Sequence, residues 1–461
     1  MRIPRGLLYF SGKDFIVGRE FDLMELTCDL HLHGRYSRAT SKDLTIENLE
    51  KFARIKGMSL LGAGDFTHPK WVEEVKAATK EDEHGILRTR SGFPFIWQSE
   101  ISLVYTQDCK GRRIHNVVLA PNLEVVKQVT DYLKSKGRID YDGRPIFKIP
   151  SPEFVERLKS ISVDIEVIPA HIWTPWFSLF GSKSGFDTLK DCYQDQTKHI
   201  HALETGLSSD PAMNWRLSML DKYNLVSSSD SHSHWPWRVG REATVLKVGK
   251  LTYADIIQAI RSPEGVAMTL EVDPAYGIYH VDGHRACGIS MEPKDARKLN
   301  NVCPVCKQPL TIGVLHRVED LADREEGFVK KGAAPFKTLI PLSEIIAAVV
   351  EKGIATKEVW RIFYDLVRDG RSELDVLLRM PKEELAAITT ASIAKAIMEN
   401  REGAIKVKPG FDGVYGVPVI DGKVKTPSAS PQPAKRPRKG SLAGKDLPPP
   451  ALERERQARL I

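Results

Sequence analysis

Between residues 24 and 270, short apolar runs alternate with amphipathic stretches, and nearly every run ends beside a histidine or a carboxylate. That recurrence constrains the chain more than any other feature. Residues 60–62, 95–97, 116–119, 164–169, 201–204 and 226–228 read as strands, and 45–56, 123–136, 151–160, 211–223 and 252–262 read as helices. The alternation predicts an α/β fold around a parallel sheet, open or closed into a barrel. Strand ends in such a barrel converge on one face, where active sites form.

The residues at those ends are of metal-ligand type. His31 and His33 lie in Cys28-Asp29-Leu30-His31-Leu32-His33, and alternation along an extended chain puts both imidazoles on one side. Asp65 and His68 follow the run at 60–63, and Glu100 follows 95–99. His115 opens the next strand, His171 closes 166–170, and Asp230 and His232 close the run from 226. Neutral imidazoles with carboxylates suit Zn, Mn or Fe, or Mg-assisted chemistry, and more than six of them imply more than one ion. Adjacent ions lower the pKa of water and stabilise the attacking and leaving oxygens of a phosphoester. Taken singly, each histidine is as readily a satisfied core or surface imidazole, and that reading is kept for His84, His199, His201 and His234. Nine coincidences at strand ends are not explained that way.

A second constellation follows. His284-Arg-Ala-Cys287 and Cys303-Pro-Val-Cys306 are two pairs of x₂ spacing with fifteen residues between Cys287 and Cys303. This spacing predicts a structural zinc ribbon with a His/Cys₃ shell, the alternative being a reduced CxxC. His280 and His316 are spare candidates for the fourth ligand. Cys28, Cys109 and Cys192 have no partners at metal spacing and read as core or near-core thiols. Six cysteines in 461 residues exclude a disulfide scaffold.

The chain divides into an N-terminal extension (1–23), a metal-dependent α/β body (24–270), the Cys/His ribbon (271–332), a helical module ending in a Gly-rich hairpin (333–420) and a Pro-rich tail (421–461), expected to be disordered. The extension is either an added strand or an upstream translation start. The net charge of +7 is concentrated in the tail, where ten Lys/Arg face four acids. Net charge therefore gives the folded body no claim on nucleic acid, and Lys435-Arg-Pro-Arg-Lys439 either adds phosphate contacts or only solubilises. Gln457-Ala-Arg-Leu460-Ile461 matches the opening of a sliding-clamp (PCNA) box without its two aromatics, by chance or because the sequence stops short of the motif. No apolar run is long enough to span a membrane, and Lys13, Asp14 and Arg19 interrupt the N-terminus, so no secretion signal and a cytoplasmic, nucleoid-associated location are expected.

Trp173, Trp176 and Phe177 follow His171, and Trp235 and Trp237 follow His232. An aromatic wall beside hydrolytic metals suits a flipped-out base, although packing under the barrel rim accounts for the same residues. Arg35, Arg38, Lys183, Arg238 and Arg241 are candidates to meet phosphates, or are solvated charges.

Asp29-Leu-His-Leu-His33, Gly64-Asp-Phe-Thr-His68, Glu100, His115, Pro169-Ala-His171 and Ser229-Asp-Ser-His232 resemble the ordered motifs of the PHP (polymerase and histidinol phosphatase) superfamily. The resemblance covers about 24–270 and implies a distorted seven-stranded (β/α) barrel holding up to three metals. The superfamily's usual third histidine is absent, since Tyr36, Ser37, Arg38 and Ala39 occupy its place, so Asp65 or His68 is expected to compensate. The full order, with the ribbon, the helical module and Pro409-Gly-Phe-Asp-Gly-Val-Tyr-Gly416, is similar to the endonuclease Q family of DNA repair enzymes. That resemblance implies cleavage of single- or double-stranded DNA on the 5′ side of hypoxanthine, uracil, xanthine or an abasic site, with base flipping and a sliding-clamp partner. On this reading Asp230, Glu100 and His171 are the catalytic residues. His31, His33, Glu100 and Asp230 hold one ion, Glu100 bridges to a second held by His115 and His171, and Asp65, His68 and His232 complete the cluster. The rival readings are a 3′–5′ exonuclease or other phosphoesterase of the superfamily, and a non-catalytic DNA-damage binding module.

Overall fold

The computed structural model describes residues 23–420 and the backbone of Lys423–Val424. The extension up to residue 22 and nearly all of the tail, with its basic run and clamp-like terminus, lie outside the described residues.

Nine strands build the body: β1 Met24–Asp29, β2 Leu60–Gly62, β3 Pro94–Gln107, β4 Lys110–Ala120, β5 Glu166–Pro169, β6 Ala202–Glu204, β7 Asn224–Val226, β8 Ala243–Val248 and β9 Val266–Glu271. Hydrogen-bonded neighbours run β9–β8–β1–β2–β3–β4–β5 within an 11-stranded sheet, and β6 and β7 form a separate parallel pair. The pair fills the gap between the sheet's ends. Ile172 N–H donates to the Glu204 carbonyl (3.1 Å), and Ser227 N–H to Thr244 Oγ1 (2.8 Å). The strands thus form a ring whose ladder is interrupted on both sides of the β6–β7 pair.

The expected parallel sheet is corrected. Among these nine strands β1–β2, β2–β3 and β6–β7 are parallel, while β8–β1, β8–β9, β3–β4 and β4–β5 are antiparallel. For β3 and β4 the cause is their hairpin, paired from Trp97↔Ala120 to Gln107↔Lys110 and closed by Asp108–Cys109. Both turn residues have positive φ (53° and 58°), the twist a two-residue hairpin requires. Cys109 is therefore an exposed turn residue, not a near-core thiol, while Cys28 and Cys192 are buried as expected. Glu100 and His115 consequently project from within long strands rather than from strand ends.

Helices close the outside. Ile46–Lys56 begins at Thr45, whose side chain accepts from Asn48 N–H, and buries Ile46, Leu49, Phe52 and Ala53. Beyond β9, Asp282–His284 pairs with Ile289–Met291, and helices Pro293–Lys298 and Val314–Leu321 complete the Cys/His segment. Phe336–Thr338 returns to pair with β9. Helices Leu342–Val350, Lys357–Leu366, Glu373–Leu378, Lys382–Ile388 and Ala391–Arg401 then gather around their own core of Ile345, Ile346, Phe363, Leu377 and Ile397. Lys406–Lys408 pairs with Val417–Ile420 after it. No helix among the described residues is long and apolar enough to cross a membrane.

Candidate metal centre

The ligand atoms of His31, His33, Glu100 and Asp230 lie within 4.8 Å of one another, as do those of Glu100, His115 and His171. Each imidazole of the first group is aimed from behind. His31 Nδ1 bonds both carboxylate oxygens of Glu204 (3.0 Å), and His33 Nδ1 bonds Asp65 Oδ1 (3.0 Å), so each ring presents Nε2 to the centre. His33 Nε2 sits 3.3 Å from Glu100 Oε2 and 3.0 Å from Asp230 Oδ1, and His31 Nε2 sits 3.6 Å from Glu100 Oε2.

Glu100 faces both groups, because its other oxygen, Oε1, is 2.6 Å from His115 Nδ1 and 3.1 Å from His171 Nε2. One carboxylate on the β3 strand therefore joins the two groups. The backbone is strained where the loops turn back. Asp65, His171 and Asp230 have φ of 38°, 32° and 47°, a left-handed conformation that non-glycine residues keep only when their surroundings fix it. Gly206 lies against His171 with φ +63°, and a Cβ there would fall 2.5 Å from the His171 Cβ.

The electrostatics suit a cation. Burial alone would lower His31, but Glu204, Glu100 and Asp230 overcome it and hold the ring well above the usual imidazole value. His33 is raised likewise, against burial, by Asp65, Asp230 and Glu100. Against the same burial, His115, Arg144 and His31 hold Glu100 well below the carboxylate range, and His232 and the first-group imidazoles do so for Asp230. A field that favours a proton on a buried ring also favours a divalent ion. His31 Nε2 is fully buried with no hydrogen-bond partner, and this donor set of nitrogens and carboxylates fits Zn, Mn or Fe. The residues present thus fit the metals that the sequence motifs imply.

The ribbon group is built otherwise. Ligand atoms of His284, Cys287, Cys303 and Cys306 also lie within 4.8 Å, with His284 Nδ1 3.3 Å from Cys306 Sγ. Against its own desolvation, the Cys306 and Val305 N–H groups and His284 bring the Cys303 thiol down to about 6. Neither spare candidate joins it, since His316 is paired with Asp282 and His280 is buried away from the group.

The crystal structure of the lesion-specific endonuclease PfuEndoQ of Pyrococcus furiosus is similar along almost the whole chain, with 32% identity over 86% of this chain and 95% of that one and a TM-score of 0.77. The chain belongs to the endonuclease Q family. A second endonuclease Q, solved with a 27-mer duplex carrying an abasic lesion at its active site, is 33% identical over 85% of this chain and 96% of its own, with a TM-score of 0.76. The uncharacterized protein YqxK of Bacillus subtilis is 28% identical over 86% of this chain and 99% of its length. The uncharacterized protein MJ0043 of Methanocaldococcus jannaschii is 34% identical over 251 residues, and the chain spans only 31% of that protein's length. Residues 341–404, the helical module, match the MJ0043 C-terminal domain family.

Other residues singled out from the sequence sit elsewhere in this endonuclease Q fold. Asp65, His68 and His232 lie outside both ligand groups. The Asp65 carboxylate takes Gly34 N–H (2.6 Å), Ser37 Oγ (2.8 Å) and His33 Nδ1, leaving it a holder of His33. His68 stacks on Tyr36 with ring centroids 4.6 Å apart. His232 Nδ1 donates to the Asp230 carbonyl (2.9 Å), and burial lowers the ring to about 4.

Trp173 and Trp237 correct the aromatic-wall expectation. Trp173 is 1% exposed and bonded to Asn214, and Trp237 is 4% exposed under Trp235 and Trp360, so neither offers a face to a base. Trp176 and Phe177 remain half-buried near the centre, Phe177 packing 4.8 Å from the His115 ring with Arg113 over its face. Arg35 is paired with Glu74 and Arg38 with Asp142, while the charge of Arg238 bears on Glu344 of the helical module.

Two residues escaped the sequence reading. Glu204 ends the strand predicted at 201–204, so the strand-end rule that picked out the other candidate residues applied to it as well. Arg144 had no such signal. Asp142 accepts from the Arg144 and Arg38 N–H groups, and Gly143 lies so close to Asp65 that a Cβ would collide. The loop thereby delivers Arg144 Nη1 to 3.0 Å from Glu100 Oε2.

Proposed function

We propose that this protein is a metal-dependent DNA repair endonuclease that hydrolyses the phosphodiester 5′ of deaminated bases (hypoxanthine, uracil, xanthine) and of abasic sites. The observation that carries the reading is Glu100 shared between two groups of ligand-type residues, in a chain alike over most of its length to a lesion-specific endonuclease. His31, His33, Glu100 and Asp230 would hold one divalent ion, and Glu100, His115 and His171 a second. Such a pair, when bound, supplies Lewis acidity and a water of lowered pKa.

The chain's own residues do the rest. Glu204 and Asp65 fix which nitrogen each imidazole presents. Arg144, held by its loop and a quarter exposed, offers a guanidinium to a phosphate oxygen at the same centre. His232 is neutral near pH 7, with Nδ1 engaged by the Asp230 carbonyl, so Nε2 is available to accept a proton. Phe177, whose ring lies 4.8 Å from that of His115, and its half-buried neighbour Trp176 suit contact with an extruded nucleotide. The His284/Cys287/Cys303/Cys306 group reads as a closed structural zinc site. A sliding-clamp contact through the C-terminus remains part of the reading and falls outside the described residues.

The test is a 5′-labelled duplex with one deoxyinosine, incubated with Mg²⁺, Mn²⁺ or Zn²⁺ beside an undamaged duplex. One cut immediately 5′ of the lesion, lost on chelation, is expected. Progressive shortening of both duplexes would replace the reading with an exonuclease, and tight lesion binding without cleavage with a binding module.

A further inference from the structure

The helical module at 341–404 has no ligand atom in either metal group, yet it grips the segment that carries Asp230. That segment, 229–240, is fixed to the body at its ends. The Asp29 carboxylate accepts from Ser229 N–H (3.0 Å), Ser229 Oγ (2.6 Å) and Gly240 N–H (2.8 Å). Between those ends the segment turns outward, and the module receives it. Trp235 and Trp237 stack on each other (5.1 Å, 8° between planes), and Trp360 of helix Lys357–Leu366 packs against both at 5.3 Å. Phe52 and His234 close the other side.

A buried ion pair fixes the same place. Lys56 Nζ donates to Glu373 Oε1 (2.8 Å) and to the Pro236 carbonyl (2.8 Å), with Lys56 2% and Glu373 0% exposed. Glu373 also accepts from Leu342 N–H (2.9 Å). One carboxylate thus joins two module helices to the body helix and, through Lys56, to the loop between the two tryptophans. A charge this deeply buried is retained only with its partner in place.

We infer that the helical module positions the Asp230-bearing segment for metal binding, with Trp360 and Glu373 as positioning residues. The reason is mechanical. Asp230 adopts a left-handed φ of 47°, and in that conformation its Oδ1 lies 3.0 Å from His33 Nε2. Such a conformation relaxes unless neighbours over-determine it. Asp29 holds the segment's two ends, the Ser231 and His232 carbonyls accept from His33 N–H (3.1 Å) and Ser41 N–H (3.0 Å), and farther along the contacts are those of His234, Trp235, Pro236 and Trp237 with Phe52, Lys56 and Trp360. Releasing the contacts at 235–237 loosens the stretch that continues from Asp230 and shifts its carboxylate relative to His31, His33 and Glu100, while Glu100, His115 and His171, on other elements, keep their places. The inference rests on reading Asp230 as a metal ligand.

The test titrates Co²⁺ into metal-free full-length protein and follows two signals. The ribbon thiolates give an intense sulfur-to-cobalt band, which reports that the chain is folded, and the barrel group gives weak visible d–d bands. Trp360→Ala and Glu373→Gln are expected to weaken Co²⁺ at the Asp230 group about tenfold or more, the size of effect seen when a ligand's support is lost. The thiolate band should be unchanged, and Trp360→Phe should restore most of the affinity. Leu385→Ala, which opens a cavity in the module core at a residue with no ring or hydrogen-bond contact to 229–240, should leave both signals as in the parent. Unchanged d–d affinity in Trp360→Ala and Glu373→Gln overturns the inference, and so does an equal loss in Leu385→Ala. If the parent protein cuts no lesion, the proposed function fails, yet the cobalt shifts still decide this point.

Discussion

The two His-bearing clusters answer the same problem in opposite ways. In the body, His31, His33 and Glu100 are fully buried, and both imidazoles of the first group are backed by a carboxylate on the far nitrogen. In the ribbon, His284, Cys287 and Cys306 are only partly covered, and the groups aimed at Cys303 are backbone N–H donors from its own knuckle together with His284. Local sequence spacing suffices to bring the ribbon's four side chains together, because each x₂ pair places its two members side by side. The body cluster gathers residues up to about 200 positions apart and needs the whole ring to exist first. The comparison teaches that a staple can be local, whereas a preorganised reactive centre must be held from every side.

That contrast can be broken by substitution. Asp230→Asn keeps the shape of the body cluster and removes a charged oxygen 3.0 Å from His33. The change should reduce lesion cutting on the order of 10³-fold, the several kcal/mol expected when metal assistance is lost. Duplex binding, read by fluorescence anisotropy, should hardly change. Survival of cutting would remove Asp230 from the site.

Glu204→Gln touches no metal in the proposed arrangement, yet it exchanges one charged acceptor at His31 Nδ1 for an amide. Metal affinity or turnover should fall about 10- to 100-fold. An equal effect on the ribbon would erase the distinction drawn between the two clusters.

The ribbon is best probed by acid. The folded Cys303 thiol lies near 6, below its ordinary value of 9.0, so its thiolate contributes stability that is complete above about 9 and is lost as pH falls through about 6. In the metal-free protein, the ultraviolet thiolate absorbance should therefore fall below about pH 6, and that step should vanish in Cys303→Ser. Absorbance with no midpoint in that window would show that the backbone donors do not set the thiol.

Much of this was legible beforehand. The alternation of runs identified the elements, and period-2 geometry put His31 and His33 on one side, because side-chain direction in a strand follows from chain position alone. The ribbon's spacing was legible for the same local reason. Strand direction was not, since it depends on the Asp108–Cys109 turn that folds β3 onto β4. Nor was the division of labour among the carboxylates. Asp65 and Glu100 each sit near the end of a predicted run, but only packing turns one toward the back of His33 and the other between two groups of rings. The tryptophans show the limit most clearly. They follow His171 and His232 in sequence, yet Trp237 faces the helical module and Trp173 the core, because burial is decided by which surfaces the finished fold brings together. Residue chemistry and its spacing were fixed by the chain itself. Which nitrogen faces inward, which arginine arrives at Glu100 and which helix steadies Asp230 were decided by contacts among residues tens to hundreds of positions apart, which no local pattern encodes.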